Sequence, residues 1–230
     1  MLLGDMQDWK PNVASIIEYA ADIYPESEVV SKLVSGQVHR TNYKEVCVRS
    51  RKLASKLVKD GYKQGDVIAT LALNTFRHLE AYYGVSGMGA VVHTLNFRLH
   101  PEQAVYIINH AEDKVIFVEA PFVPILEALQ ENLSTVEKYI VFCDKHEMPE
   151  STLKNCISYE EYIEDGDENF VWPDLPDNAA CGLCYTSGTT GNPKGVLYSH
   201  KSTILHAISA AGPKALKIEG DDSVLMVVPM

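Results

Sequence analysis

Tyr185-Thr186-Ser187-Gly188-Thr189-Thr190-Gly191-Asn192-Pro193-Lys194-Gly195-Val196 lies between two apolar runs, Leu183 to Tyr185 and Val196 to Tyr198. Glycine tolerates positive φ and lets the backbone approach a ligand closely. Successive N–H groups in such a run can converge into an anion-binding concavity. The Ser and Thr hydroxyls add donors, and Lys194 adds a compact positive charge. The stretch therefore reads as a polyphosphate cradle that joins two strands. It departs from the common P-loop, which needs Gly-x-x-x-x-Gly-Lys-Ser/Thr leading into a helix. Pro193 stands where the last glycine of that pattern belongs, Gly195 replaces its magnesium-binding hydroxyl, and Val196-Leu197-Tyr198 has strand character. A Gly/Thr-rich surface turn is the competing explanation; so long a run of donors around one lysine argues against it.

Charge is distributed to suit such a site. The chain carries a net charge of −11, which disfavours nucleic acid and anionic membrane as partners. Yet Asn178 to Ile218 contains no Asp or Glu, only Lys194, Lys201, Lys214 and Lys217, while Tyr159 to Asp177 holds eight acids and no Lys or Arg. Burial also excludes carboxylates, but burial does not account for a lysine inside the Gly/Thr run.

With 230 residues, 46% of them hydrophobic, the chain can bury a core as one large or two small domains. No apolar run reaches the roughly 18 residues needed to span a bilayer. Met1 to Met6 lacks a basic flank and a long apolar stretch, so no secretory signal is read there. Five cysteines do not suggest a disulfide framework, and a reducing, cytoplasmic setting is expected. In Cys181-x-x-Cys184 the two thiols are expected on opposite sides of a strand, which disfavours zinc or redox use. His200 and His206 are six apart and cannot share a helix face as ligands.

The rest of the chain alternates helix and strand. Asn42 with Glu45 makes a capping-box-like start to a helix closed by Gly61, and Val67 to Leu73 reads as a strand covered on both sides. Asn74 is expected to cap a second helix that ends near Gly87, Ala90 to Leu95 is a strand, and Pro101 opens a third helix. The strand Val115 to Val118, a helix around Pro124 to Asn132 and the strand Tyr139 to Cys143 follow. This rhythm implies an α/β fold with a doubly wound, mostly parallel sheet and flanking helices. Val29 to Leu33 and Val38 to Thr41 read as a hairpin on the sheet's edge. The acidic segment 165–177 is the expected linker between a first lobe, 1–164, and the start of a second, 178–230. Ser223 to Met230 reads as a further strand that stops without a polar tail, an unusual way for a domain to end.

Ser187-Gly188-Thr189-Thr190-Gly191-Asn192-Pro193-Lys194-Gly195 resembles the signature of the adenylate-forming (AMP-binding) superfamily, which includes acyl-CoA synthetases, firefly luciferase and peptide-synthetase adenylation domains. Gly89 to Gln103 is similar to the fatty-acid branch in particular, and the likeness runs through nearly all of the chain. Members are more than twice this length, so the resemblance implies an N-terminal fragment, itself inactive. It implies ATP, magnesium and coenzyme A as cofactors: a carboxylate attacks the α-phosphorus of ATP to give an acyl-adenylate and pyrophosphate, and the thiol of coenzyme A then displaces AMP. Amides of Ser187, Gly188, Thr189, Thr190 and Gly191 would hold the β- and γ-phosphates, Lys194 would act as the catalytic cation, and Thr186 would help hold magnesium. His200 after Ser199 is a weaker echo of a Ser/Thr-His pair, with packing as its competitor. The implied partners are small molecules, and fatty-acid relatives often pair as homodimers. Two alternatives stay open: a ligase for an aryl, short-chain or sulfur-containing acid, and a non-catalytic fold-mate.

Overall fold

The computed structural model describes residues 1–2, 4–6, 9–186, 192–228 and 230. After helix α1 (Ala14–Ile23) the chain forms a hairpin of β1 (Glu28–Lys32) and β2 (Val38–Asn42). Asn42 then starts α2 (Tyr43–Lys59) as expected, its side chain accepting the Glu45 N–H at 2.9 Å. Strands β3 (Val67–Leu71), β4 (Val91–Thr94) and β5 (Val115–Val118) alternate with α3 (Phe76–Gly87) and α4 (Pro101–Ala111). Helix α5 (Val123–Leu129), flanked by single 3-10 turns, precedes β6 (Lys138–Val141), β7 (Cys156–Ser158) and the short α6 (Tyr159–Ile163). The chain then runs through β8 (Ala180–Thr186) and β9 (Lys194–Ser199) into α7 (His200–Ala211). No described helix is long and apolar enough to cross a membrane.

Seven strands make one sheet in the order β7-β6-β5-β3-β4-β8-β9, parallel except for the β8–β9 pair. From β3 the chain steps to β4, crosses to β5 on the other side, moves outward to β7, and returns to set β8 beside β4. Winding outward on both sides of β3 makes the sheet doubly wound. The strand period of two then sorts apolar residues into two layers. Ile68, Val92, Phe117 and Ile140 pack with α2, α3 and α6, while Ala69, Ile116, Val118 and Val141 pack with α4 and α5. A Cβ at Gly84 would stand 2.9 Å from Leu53 Cδ2 and from the Ser50 carbonyl oxygen, so α3 crosses α2 at a distance only glycine permits.

Charge also ties the first layer together. Arg49 on α2 meets Glu80 on α3 at 2.7 Å and Glu160 on α6 at 2.9 Å, and the Tyr159 hydroxyl donates to Glu80 at 2.9 Å.

Three expectations are corrected. The β1–β2 hairpin is a separate two-stranded sheet, not an edge of the main one. It sits over the start of α3, where Ser31 Oγ accepts the Phe76 N–H at 2.9 Å and His39 stacks on Phe76 with centroids 3.8 Å apart. Ser31 thereby does what was expected of Asn74. The cap position of α3 belongs to Thr75, and Asn74 instead binds residues 226–230, donating to the Met226 and Val228 carbonyls and accepting the Met230 N–H. The described residues of that last segment form no strand.

The segment 165–177 has no helix or strand, but it is fastened down. Asp165 pairs with Lys56 at 2.7 Å and Lys59 at 3.0 Å, Trp172 packs on the first layer and Leu175 is buried. Beyond it, β8 joins the same sheet as the strands before it.

Candidate active site

Strands β8 and β9 form an antiparallel hairpin in which Thr186 and Lys194 are register partners, with Tyr185 opposite Gly195 one step back. The two ends of the glycine-rich loop are therefore brought face to face. Thr186 Oγ1 donates to the Lys194 carbonyl at 3.5 Å, a long bond that leaves the hydroxyl available. Both residues are exposed. Lys201 pairs with Asp177 at 3.7 Å, whereas Lys194 meets no carboxylate among the described residues. Ser187, Gly188, Thr189, Thr190 and Gly191 lie outside the described residues.

Because β8 runs parallel to β4, the loop leaves from the carboxyl end of the parallel strands. Open α/β sheets bind ligands at that end. Asn74 and Glu119 follow β3 and β5 at the same end. Glu119 is buried, and burial pushes its carboxyl up to about 7 against the opposing effects of the Leu73 N–H and Arg77.

Beneath the hairpin lies a polar cluster that the sequence did not announce. His93 and Asp113 are both fully buried, with His93 Nδ1 2.8 and 3.0 Å from the two carboxylate oxygens. The Tyr185 ring lies 5.2 Å from the His93 ring, and its hydroxyl meets His110 Nδ1 at 2.6 Å.

His200 is a packing residue. It is buried, its Nδ1 accepts the Val13 N–H at 3.0 Å, and desolvation lowers its pKa to about 4. A bulge between Ala180 and Gly182 breaks the alternation expected for the two cysteines. Cys181 Sγ lies 3.3 Å from Thr203 Oγ1 and Cys184 Sγ 3.6 Å from Thr94 Oγ1, so each thiol has its own hydroxyl partner. Asp144, His146 and Glu147 bring ligand atoms within 4.8 Å of one another, but Asp144 is already paired with Arg77 at 2.6 Å.

The AMP-binding enzyme family matches residues 17–230. The chain belongs to that family. A medium-chain-fatty-acid–CoA ligase of Ectopseudomonas oleovorans is 47% identical over 229 residues, covering 100% of this chain and 42% of that protein. A 3-methylmercaptopropionyl-CoA ligase of Ruegeria pomeroyi is 43% identical with the same coverage, 100% and 42%. The chain thus spans about two fifths of the length of the curated relatives it matches. The inhibitor-bound N-terminal domain of FACL13 from Mycobacterium tuberculosis shares the fold, with TM-score 0.79 and 24% identity over 96% of this chain and 52% of that one.

Within this AMP-binding chain, Thr186 and Lys194 are the two proposed site residues that the described structure brings together. Tyr185, His93, Asp113 and His110 escaped the sequence reading. Tyr185 stands two residues before the signature and His93 falls inside Gly89–Gln103, the one signal that could have marked them. Nothing local marks His110 or Asp113, since each meets a partner from another element, Tyr185 of β8 and His93 of β4.

Proposed function

We propose that the protein carrying this chain activates a carboxylic acid, a fatty acid in the first instance, with ATP and passes the acyl group to coenzyme A. The observation that carries this reading is the facing of Thr186 and Lys194 across the mouth of a glycine-rich hairpin at the carboxyl end of a doubly wound sheet. In the first step negative charge builds on the departing pyrophosphate, so donors and a cation already in place lower the barrier. Lys194, exposed and without a carboxylate partner among the described residues, supplies that cation. Amides and hydroxyls of residues 187–191 hold the β- and γ-phosphates. Magnesium favours oxygen ligands and usually arrives with the nucleotide phosphates, whose charge it neutralises. The Thr186 hydroxyl fits it as one neutral oxygen, with carboxylate oxygen to come from elsewhere.

The acid activation and the identity of the acid are tested by one panel. Full-length protein is supplied with ATP, magnesium and, in turn, acetate, butyrate, octanoate, palmitate, benzoate and 3-methylmercaptopropionate, and pyrophosphate release is followed. The expected result is release that depends on the acid and is strongest with octanoate or palmitate. No release with any acid would overturn the reading. A sulfur-containing acid is the second reading, favoured because the 3-methylmercaptopropionyl-CoA ligase matches nearly as well as the medium-chain enzyme; strongest release with 3-methylmercaptopropionate would establish it.

A further inference from the structure

The hairpin that carries the site stands partly free of the sheet. The parallel ladder between β4 and β8 contains only Val92↔Gly182 and His93↔Leu183. Cys184, Tyr185 and Thr186 therefore pair with β9 alone among the described residues, and β9 is the outermost strand. A two-stranded ribbon of this kind is only marginally stable by itself. Its direction has to be fixed by side chains.

Tyr185 is the side chain placed to do so. It shares the sheet face of Leu183 and His93, the face covered by α4 and α5. Its ring rests against His93 on one side and meets the edge of His110, 5.8 Å away, on the other. The floor under it is held by the buried His93–Asp113 hydrogen bond, whose breaking would leave the Asp113 carboxyl and His93 Nδ1 unpartnered. His110 sits in the last turn of α4, where Tyr106 packs against it at 5.3 Å, so the bond to the Tyr185 hydroxyl ends on a fixed element. On the loop side, a Cβ at Gly195 would stand 3.2 Å from Tyr185 Cζ and 3.0 Å from Leu183 Cδ1. The glycine after Lys194 thus makes room for the ring.

We propose that Tyr185 is the positioning residue of the phosphate hairpin, seated on the His93–Asp113 pair and stopped by His110, so that Thr186 and Lys194 face the nucleotide from a fixed base. The inference rests on the ATP reading of that hairpin. Variants of His93 or Asp113 are poor tests, since removing one partner strands the other in the core. Tyr185→Phe and His110→Phe are better, because each keeps a ring and removes only the hydrogen bond.

The test measures acid-dependent pyrophosphate exchange by the full-length protein, with KM for ATP and for the acid determined separately. Each variant is expected to raise KM for ATP about fivefold, the typical worth of one hydrogen bond, to leave KM for the acid unchanged and to lower the melting temperature by no more than about 2–4 °C. The double variant is expected to be no worse than either single one, because both remove the same bond. Gly195→Ala should raise KM for ATP at least as much by displacing the ring. Unchanged KM for ATP in Tyr185→Phe and His110→Phe, with an active parent, would overturn the inference alone. So would losses shared equally between ATP, acid and melting temperature, which would make Tyr185 a packing residue. A parent protein without exchange would overturn the proposed function and this inference with it.

Discussion

Glu119 shows how a single residue carries a measurable consequence of the fold. It is 2% exposed, and the hydrogen bond its carboxylate accepts from the Leu73 N–H is long, at 3.4 Å. Burial therefore dominates and lifts its carboxyl from 4.5 to about 7. Between those values the folded chain keeps a proton that the unfolded chain gives up. Stability from this group is complete below pH 4.5 and is lost as pH rises through 7. Glu119→Gln cannot ionise, so it should match the parent near pH 4 and be more stable above pH 8. At 1.36 kcal/mol per unit the gain is on the order of 3 kcal/mol. Urea unfolding at the two pH values checks this, and an equal effect at both would contradict it. None of this was readable beforehand, since Glu119 looks like any polar residue closing a strand. Lys194 is the opposite case: its charge inside a Gly/Thr run was legible because the chemistry is local.

At the scale of elements, the same contrast between local and distant signals recurs. Asn42 and Glu45 are three apart, and the cap they were expected to form is present. Asn42→Ala should cost about 1 kcal/mol by removing it, measured as a lowered urea midpoint. The cap of α3 was misread because the acceptor of its Phe76 N–H, Ser31, comes from a hairpin 45 residues away in sequence. The ion pairs that join α2, α3 and α6 were equally invisible, with Arg49 and Glu160 111 residues apart. Their removal should be more damaging than loss of the cap. Arg49→Ala leaves Glu80 fully buried without its cation, and breaking such a pair from one side costs about 3–5 kcal/mol. Adding Glu80→Gln to Arg49→Ala should recover part of the loss; a double variant as unstable as the single one would count against the pair.

For the whole molecule, the alternation of apolar strands with amphipathic helices was enough to give the class of sheet, because parallel strands need helical crossovers and buried faces. It was not enough to give strand order. The placement of β8 beside β4, which brings the hairpin onto the sheet, depends on a return across the sheet that no local pattern encodes. Helix α1, strand β7 and helix α7 were missed for a related reason: their stability comes from what they pack on, as with Ile17 of α1 against Val46 and Cys47 of α2. The two strands on either side of the signature were legible because their apolar runs are local, and they pair as β8 and β9.

Exchange of labelled pyrophosphate into ATP by the full-length protein, in the presence of a fatty acid, reports adenylate formation alone. The account predicts that Lys194→Ala slows this exchange by about a hundredfold or more while the dissociation constant for the acid stays at the parent value. Exchange at the parent rate in that variant would contradict it.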